Sequence, residues 1–330
     1  MAAVAAFSFS FHTAAAVGQD RDSAAIMFWN LENYFDPFDD PETNDDDFTP
    51  GGVKHWTWKR FTRKRNAIAK VLLASATECG DWPAIIGFAE VENKMVLRQL
   101  LQETPLAKLD YDIIHRDSPD RRGIDVAAIY RKSRFKPVKV NTITIDCDPP
   151  TRDILYVKGV FLDNCTSAED TLHLFVNHWP SKLGGVSASR PRRQAAADAL
   201  KRAIDSLQAS QKTPLIIATG DFNDTPDGEP IQFVSQNTVN LAAPLAEKGL
   251  GTIRYNGNWE LIDQFIVSST LIAPSMIIHT PAYLLERDTK YLGVKPRRTY
   301  IGPRHNGGIS DHLPIILKFF TTFASLNVIK

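Results

Sequence analysis

The strongest constraint on this chain is a repeated arrangement. A short apolar run ends abruptly in residues that carry acids, amides or imidazoles. Pro214–Thr219 is such a run, and Gly220-Asp221-Phe222-Asn223-Asp224 closes it. A brief apolar run bounded by turn formers reads as a buried strand, covered on both faces. The glycine lets the backbone leave that strand sharply. Ile26–Trp29 runs into Asn30-Leu31-Glu32-Asn33, Ala84–Ala89 into Glu90-Val91-Glu92-Asn93, and Thr171–Asn177 into His178-Trp179-Pro180-Ser181. The last strand, Ile315–Phe319, follows Gly308-Ile309-Ser310-Asp311-His312-Leu313-Pro314. Turn chemistry favours Asp, Asn and Gly, and it accounts for each cluster singly. It does not select acids, amides and histidines at so many strand ends. In α/β sheets that edge is where ligands bind. Asp221 and Asn223 alternate, so an extended chain turns both side chains the same way.

The intervening segments supply the layers. Lys59 to Ala76 has Phe61, Ile68, Val71 and Leu72 on one face, which predicts an amphipathic helix with a basic solvent face. The mixture of cations and aromatics from His55 to Arg65 also suits phosphate and base contacts, the weaker of the two readings. Met95–Leu101, Ser187–Leu207 and Glu229–Val234 read as helices, with Pro191 in a first turn. Tyr111–His115, Val126–Tyr130, Lys136–Ile145, Ile154–Leu162 and Thr171–Asn177 form an antiparallel-looking run. Asp36 to Asp47 is an acidic loop without the spacing and glycine of an EF-hand. Trp259–Val267 reads as a strand with Asp263 inside it, an uncommon place for an unpaired acid. Residues 281–306 are basic and irregular, with Lys295, Arg297, Arg298 and Arg304. Strands and helices alternate throughout, without repeat or linker, so residues 19–330 are expected to form one α/β domain on two sheets.

Lys plus Arg and Asp plus Glu are both 38, so the total charge argues neither for nor against nucleic acid. Residues 1–18 are small and apolar, and Ala14-Ala15-Ala16 fits a signal-peptidase site, although a basic stretch is missing. This segment is expected to be a signal peptide, which places the protein in a secreted or periplasmic setting. No later run is long enough to span a bilayer. Cys147 and Cys165 flank the strand Ile154–Leu162, and export permits a disulfide between them, leaving Cys79.

As a set, these pieces resemble the endonuclease/exonuclease/phosphatase superfamily, which includes DNase I and the exonuclease III-type abasic endonucleases. The resemblance runs from about Ile26 to Phe319. It rests on Asn30–Asn33, Glu90–Asn93, Arg122-Gly123-Ile124-Asp125 with Tyr130, Asn177–Ser181, Gly220–Asp224, Ile262-Asp263-Gln264-Phe265 and Ser310-Asp311-His312. It implies an α/β fold: a four-layer α/β/β/α sandwich of two mixed β-sheets, DNase I-like, with the site in the cleft at one edge. It also implies a divalent-metal-dependent phosphoesterase acting as a monomer. Glu90 would be the main metal ligand, with Asn30 and Asp311 nearby, and oxygen donors suit Mg²⁺ or Mn²⁺. Asp221 would orient or deprotonate water, and Asn223 would donate to the transition state. His312, oriented by Asp263, would bind the phosphoryl group or act as base. His178 would contact the phosphate or protonate the leaving oxygen, with Asp125 its expected partner. Asn33, Arg122, Tyr130, Lys182 and Arg190 are the expected substrate-binding residues. The leading substrate is nucleic acid, for a secreted or periplasmic nuclease. The alternative is a phosphatase or phospholipid phosphodiesterase of inositol phosphate or sphingomyelin type. A third reading, a non-catalytic binding protein, has no need of a complete acid, amide and histidine set.

Overall fold

The computed structural model describes residues 23–162, 171–182 and 184–321. The expected signal peptide, residues 1–18, and Cys165 of the expected disulfide lie outside the described residues. Cys147 carries a free thiol.

The chain opens with β1 (Ser23–Tyr34), then α1 (Trp58–Ala74), the single turn α2 (Ala76–Cys79) and β2 (Ile85–Val91). Thr57 caps α1 by accepting from the Arg60 amide, and Asn93 caps α3 (Lys94–Gln102) through the amides of Met95 and Val96. Next come β3 (Tyr111–His115), β4 (Asp125–Arg131), β5 (Phe135–Ile143), β6 (Ile154–Phe161) and β7 (Thr171–His178). Helix α4 (Val186–Ser210) returns the chain to β8 (Leu215–Asp221). Then follow α5 (Glu229–Val234), β9 (Val239–Asn240), α6 (Ala243–Ala246), the ribbon β10 (Ile253–Tyr255) with β11 (Asn258–Glu260), and β12 (Asp263–Val267). The remaining elements are β13 (Ile272–Ile278), the ribbons β14 (Leu285–Arg287) with β15 (Val294–Pro296) and β16 (Tyr300–Ile301) with β17 (Arg304–His305), and β18 (Ile315–Phe320).

Two six-stranded sheets result, ordered β13-β18-β1-β2-β4-β3 and β5-β6-β7-β8-β12-β9. Each contains a parallel pair, β1 with β2 and β7 with β8, joined across a helix and flanked by antiparallel neighbours. Strand alternation then sets the layers. Ile26 and Phe28 of β1 share a core with Ile217 of β8 and Phe265 of β12, between the sheets. Met27 and Trp29 pack with Ile68 and Leu72 of α1 on the outer side. Ile216 and Ala218 pack with Ala196 and Leu200 of α4. The order is helix, sheet, sheet, helix, as the resemblance implies. Each large apolar side chain removed from water in these cores contributes about 1.5–3 kcal/mol.

Several local expectations change. Lys64 is not on a solvent face of α1: it is buried, and its ammonium donates to the Glu32 carbonyl and, at 2.8 Å, to Thr299 Oγ1. Those acceptors offset the cost of burying a cation. Asp263 lies in a strand as expected, but as the first residue of β12, because the expected strand Trp259–Val267 is divided between β11 and β12. Gly220 does not mark an exit, because it lies within β8, where an added Cβ would collide with the Asn177 carbonyl of β7. The strand β13 runs along one edge and carries Pro274, a residue tolerated there because edge amides have no obligatory partner. Among the described residues no helix is long and apolar enough to cross a membrane.

Candidate active site

The carboxyl ends of both parallel pairs reach the same edge of the sandwich. His178 at the end of β7 lies opposite Asp221 at the end of β8, and Asp221 lies opposite Asp263 at the start of β12. Directly paired residues share a face. These three have the alternation of Val176, Ile217 and Phe265, which fill the gap between the sheets. Asn30 has the alternation of Phe28 in the other sheet. Packing that makes the core thus also turns the chemistry inward at its rim.

Glu90 would point outward if β2 stayed regular. Instead the register with β4 shifts between Ala89 and Val91, and Glu90 takes φ of 59°. A bulge of this kind re-aims a side chain. Asn33 and Asn223 also have positive φ, 55° and 50°. Non-glycine residues rarely adopt this region, and such strain collects at functional sites. The result is a Glu90 carboxylate with Oε2 2.7 Å from the Asn33 amide and Oε1 3.4 Å from Asn30 Nδ2.

Asp221 is the hub. Its Oδ2 accepts from Asn30 Nδ2 at 3.0 Å, and its Oδ1 from the Asn223 amide at 2.9 Å. Nε2 of His178 and Nε2 of His312 each stand 3.7 Å from that same Oδ2. His312 Nδ1 is 2.8 Å from Asp263 Oδ2, which also accepts from Thr252 Oγ1. The Ser310-Asp311-His312 turn is anchored by Ser310 Oγ donating to the Asn30 carbonyl at 2.6 Å. Asn223 Nδ2 donates to the Trp179 carbonyl, which also accepts from the buried guanidinium of Arg152.

The charges follow from these neighbours. Burial pushes the Asp221 carboxyl up to about 7, with His312 pulling it down and Asp263 raising it further. Burial opposes the His312 cation, but Asp263 and Asp221 outweigh it and hold the imidazole well above its usual range. Burial lowers His178 well below its usual range, and Arg152, Arg122 and His312 add repulsion. His312 is therefore held toward its charged form and His178 toward its neutral form. His178 Nδ1 is buried without a hydrogen-bond partner.

The fit to a hard cation rests on oxygens. Glu90 and Asp311 retain side-chain exposures of 15% and 33% at this rim. Asn30 turns its amide nitrogen toward Glu90 and Asp221 and its Oδ1 to the Glu32 amide, so in this arrangement it braces the carboxylates. The oxygen chemistry of Glu90 and Asp311 fits Mg²⁺ or Mn²⁺. Asp221, Asp263 and His312 also lie close enough for one ion, but Nδ1 of His312 is engaged by Asp263 and the ring is cationic.

Three expected placements are corrected. Asp125 does not partner His178. It has the alternation of Ala127 and Ile129, which face the helical layer, and it binds His115 Nε2 at 3.0 Å and Ser118. Tyr130 is not at the site. In β4 Asp125 pairs with Val91 at the active edge, whereas Tyr130 pairs with Ile85 at the far end, about 17 Å along the strand. Arg190 is tied to Glu229 on the surface, an exposed pair, in place of the expected substrate contact. Lys182 bridges Asp224 and Glu260 at the rim, and Arg122 pairs with Asp120 while lying in the field of His178. Thr252, Arg152, Glu32, Arg298 and Lys64 join the site's network without having been anticipated. Glu32 stood in a quoted motif, but only contact geometry assigns it a partner.

Carboxylates suited to a hard cation, beside a charged imidazole and a neutral one, are the equipment of a hydrolytic phosphoesterase. The chain belongs to the endonuclease/exonuclease/phosphatase family, whose model matches residues 25–320 and whose enzymes are metal-dependent. No curated protein matches this chain by sequence. Solved structures share the fold. Truncated TDP2 from Caenorhabditis elegans is 17% identical with a TM-score of 0.58, covering 90% of this chain and 97% of that one. The human Nocturnin catalytic domain with bound sulfate is 17% identical with a TM-score of 0.56, covering 91% and 95%. The mannosyl-6-phosphatase of Bacteroides thetaiotaomicron is 17% identical with a TM-score of 0.54, covering 90% and 99%.

Proposed function

We propose that this chain hydrolyses phosphodiester bonds of nucleic acids, with Mg²⁺ or Mn²⁺, as a secreted or periplasmic enzyme. The observation that carries the reading is the pair of imidazoles from two strand ends, each with Nε2 3.7 Å from one oxygen of Asp221. Glu90 and Asp311 would hold the divalent ion, which when bound would offset charge at the phosphate oxygens. Asp221, with a carboxyl poised near neutral pH, orients the attacking water and takes its proton. The His312 cation, fixed by Asp263, offers positive charge where the phosphoryl oxygens gain negative charge, with no reorganisation at the moment of reaction. Neutral His178 donates a hydrogen bond to the phosphate or leaving oxygen. Asn223 spends one Nδ2 proton on Trp179 and keeps the other for substrate. Arg122 and Arg152 share the single acid Asp120, which leaves positive charge there for a polyanion, and the small apolar residues 1–18 support export.

The test is one panel with Mg²⁺: plasmid DNA, RNA, an aryl phosphodiester, an inositol phosphate and sphingomyelin, each repeated in EDTA. Metal-dependent cleavage of DNA or RNA is expected. Turnover confined to the inositol phosphate would assign a phosphatase instead, and turnover confined to sphingomyelin a lipid phosphodiesterase.

A further inference from the structure

Beside Glu90 a second pair of carboxylates meets at the same edge. Glu32 comes from the last residues of β1, and Asp311 from the turn before β18. Between them lies one guanidinium: Arg298 Nη2 is 2.7 Å from Asp311 Oδ2, and Arg298 Nε is 3.4 Å from Glu32 Oε1. The other Glu32 oxygen accepts the Thr299 amide at 2.6 Å. Lys64 is nearby, but its ammonium is committed to the Glu32 carbonyl and to Thr299 Oγ1, not to either carboxylate. Arg298 is thus the cation that both carboxylates bind. Its side chain is 47% exposed, whereas that of Glu32 is 5% exposed.

We infer that Arg298 occupies the place a second divalent cation would take, so that the chain binds one ion, at Glu90 and the other oxygen of Asp311, and not two. The inference rests on the metal-dependent reading above. Two facing carboxylates, one of them buried, repel each other unless a cation lies between them. A hard divalent ion and a guanidinium both satisfy that requirement, and the guanidinium is permanently charged and covalently attached. It does so in a fixed fork geometry that suits carboxylate oxygens. Once its charge is removed, Glu32 Oε1 and Asp311 Oδ2 become a vacant oxygen pair beside the first ion. Arg298 acts here as a positioning residue, setting both the ion count and the placement of Asp311.

The test counts ions in the whole, metal-stripped chain. Mn²⁺ is titrated calorimetrically, and free Mn²⁺ is measured by electron paramagnetic resonance. The wild type should bind one Mn²⁺, Arg298→Gln two, and Arg298→Lys one, because a lysine restores the charge. Adding Glu32→Gln to Arg298→Gln should return the count to one. Two ions in the wild type or in Arg298→Lys, or one ion in a folded Arg298→Gln protein, would overturn the inference. The wild-type and lysine counts decide the matter even where Arg298→Gln does not fold. A wild type that binds no Mn²⁺ would instead sink the metal-dependent reading itself.

Discussion

At Asp221 burial and the adjacent Asp263 favour the neutral acid, while the His312 cation favours the carboxylate. The balance falls near neutral pH, where a catalytic base is most effective. The two histidines differ because their neighbours differ: His312 has Asp263, Asp221 and Asp311 in reach, one of them hydrogen-bonded at 2.8 Å, whereas His178 has Glu90 and Asp221 no nearer than 3.7 Å and lies buried in the field of Arg152 and Arg122. Replacing either histidine by Ala should lower kcat by roughly 10²-fold or more with folding retained by circular dichroism. The double variant should lose less than the product, because both act on one transition state. A folded His178→Ala enzyme with near-wild-type kcat would remove His178 from the chemistry. His312 also makes a prediction about stability. Its folded pKa is raised, so its charge contributes fully below the unfolded imidazole value, about 6.5. That contribution is lost as pH rises through the folded value. In metal-free protein, the urea-midpoint advantage of wild type over His312→Asn should be greatest at acidic to neutral pH and shrink on the alkaline side. An advantage that grows with pH would contradict the assignment.

At the scale of elements, the site depends on how closely β7 and β8 approach. Gly220 sits where any Cβ meets the Asn177 carbonyl, one residue from the His178–Asp221 pair. Gly220→Ala should cost about 1–3 kcal/mol from overpacking. It should also lower kcat, by separating the strands that carry the hub. Unchanged chemical denaturation and kcat would show that the approach is slack. The strand ends themselves were legible in the sequence, because buried parallel strands are continuous apolar runs and their polar exits stand out. Asp263 with His312 was likewise legible, through the resemblance. Asp125 and Tyr130 were misplaced because a motif shows neither the face of a strand nor its direction. Lys64 was misread because a helical period cannot distinguish solvent from a neighbouring turn that offers buried acceptors. The edge strand β13 and the ribbons of residues 285–305 lack the dense apolar runs that mark inner strands. The network of Arg298 was hidden there, since its partners lie 266 and 13 residues away.

Across the whole molecule, two sheets pack face to face while both helical layers stay outside, leaving one rim free to gather residues from the end of β1 to the turn before β18. No single segment holds the site. The hub in one sheet is braced by Asn30 from the other, so the relative placement of the sheets is itself part of the active centre. Loosening the core between the sheets should therefore cost activity before it unfolds the chain: Phe265→Ala, two residues along β12 from Asp263, should destabilise by about 3–5 kcal/mol. It should also reduce kcat below the temperature of unfolding, which thermal melts and kinetics on the same sample will compare. The central claim is that Asp221 drives a metal-dependent attack on a phosphodiester. It is tested most directly by cleavage of plasmid DNA and an aryl phosphodiester by wild type and Asp221→Asn, each with Mg²⁺ and with EDTA. Wild-type turnover should vanish in EDTA and return with Mg²⁺, while folded Asp221→Asn with Mg²⁺ should fall by at least about 10²-fold in kcat. Wild-type turnover that persists in EDTA, or a folded Asp221→Asn enzyme with wild-type kcat, would contradict the account.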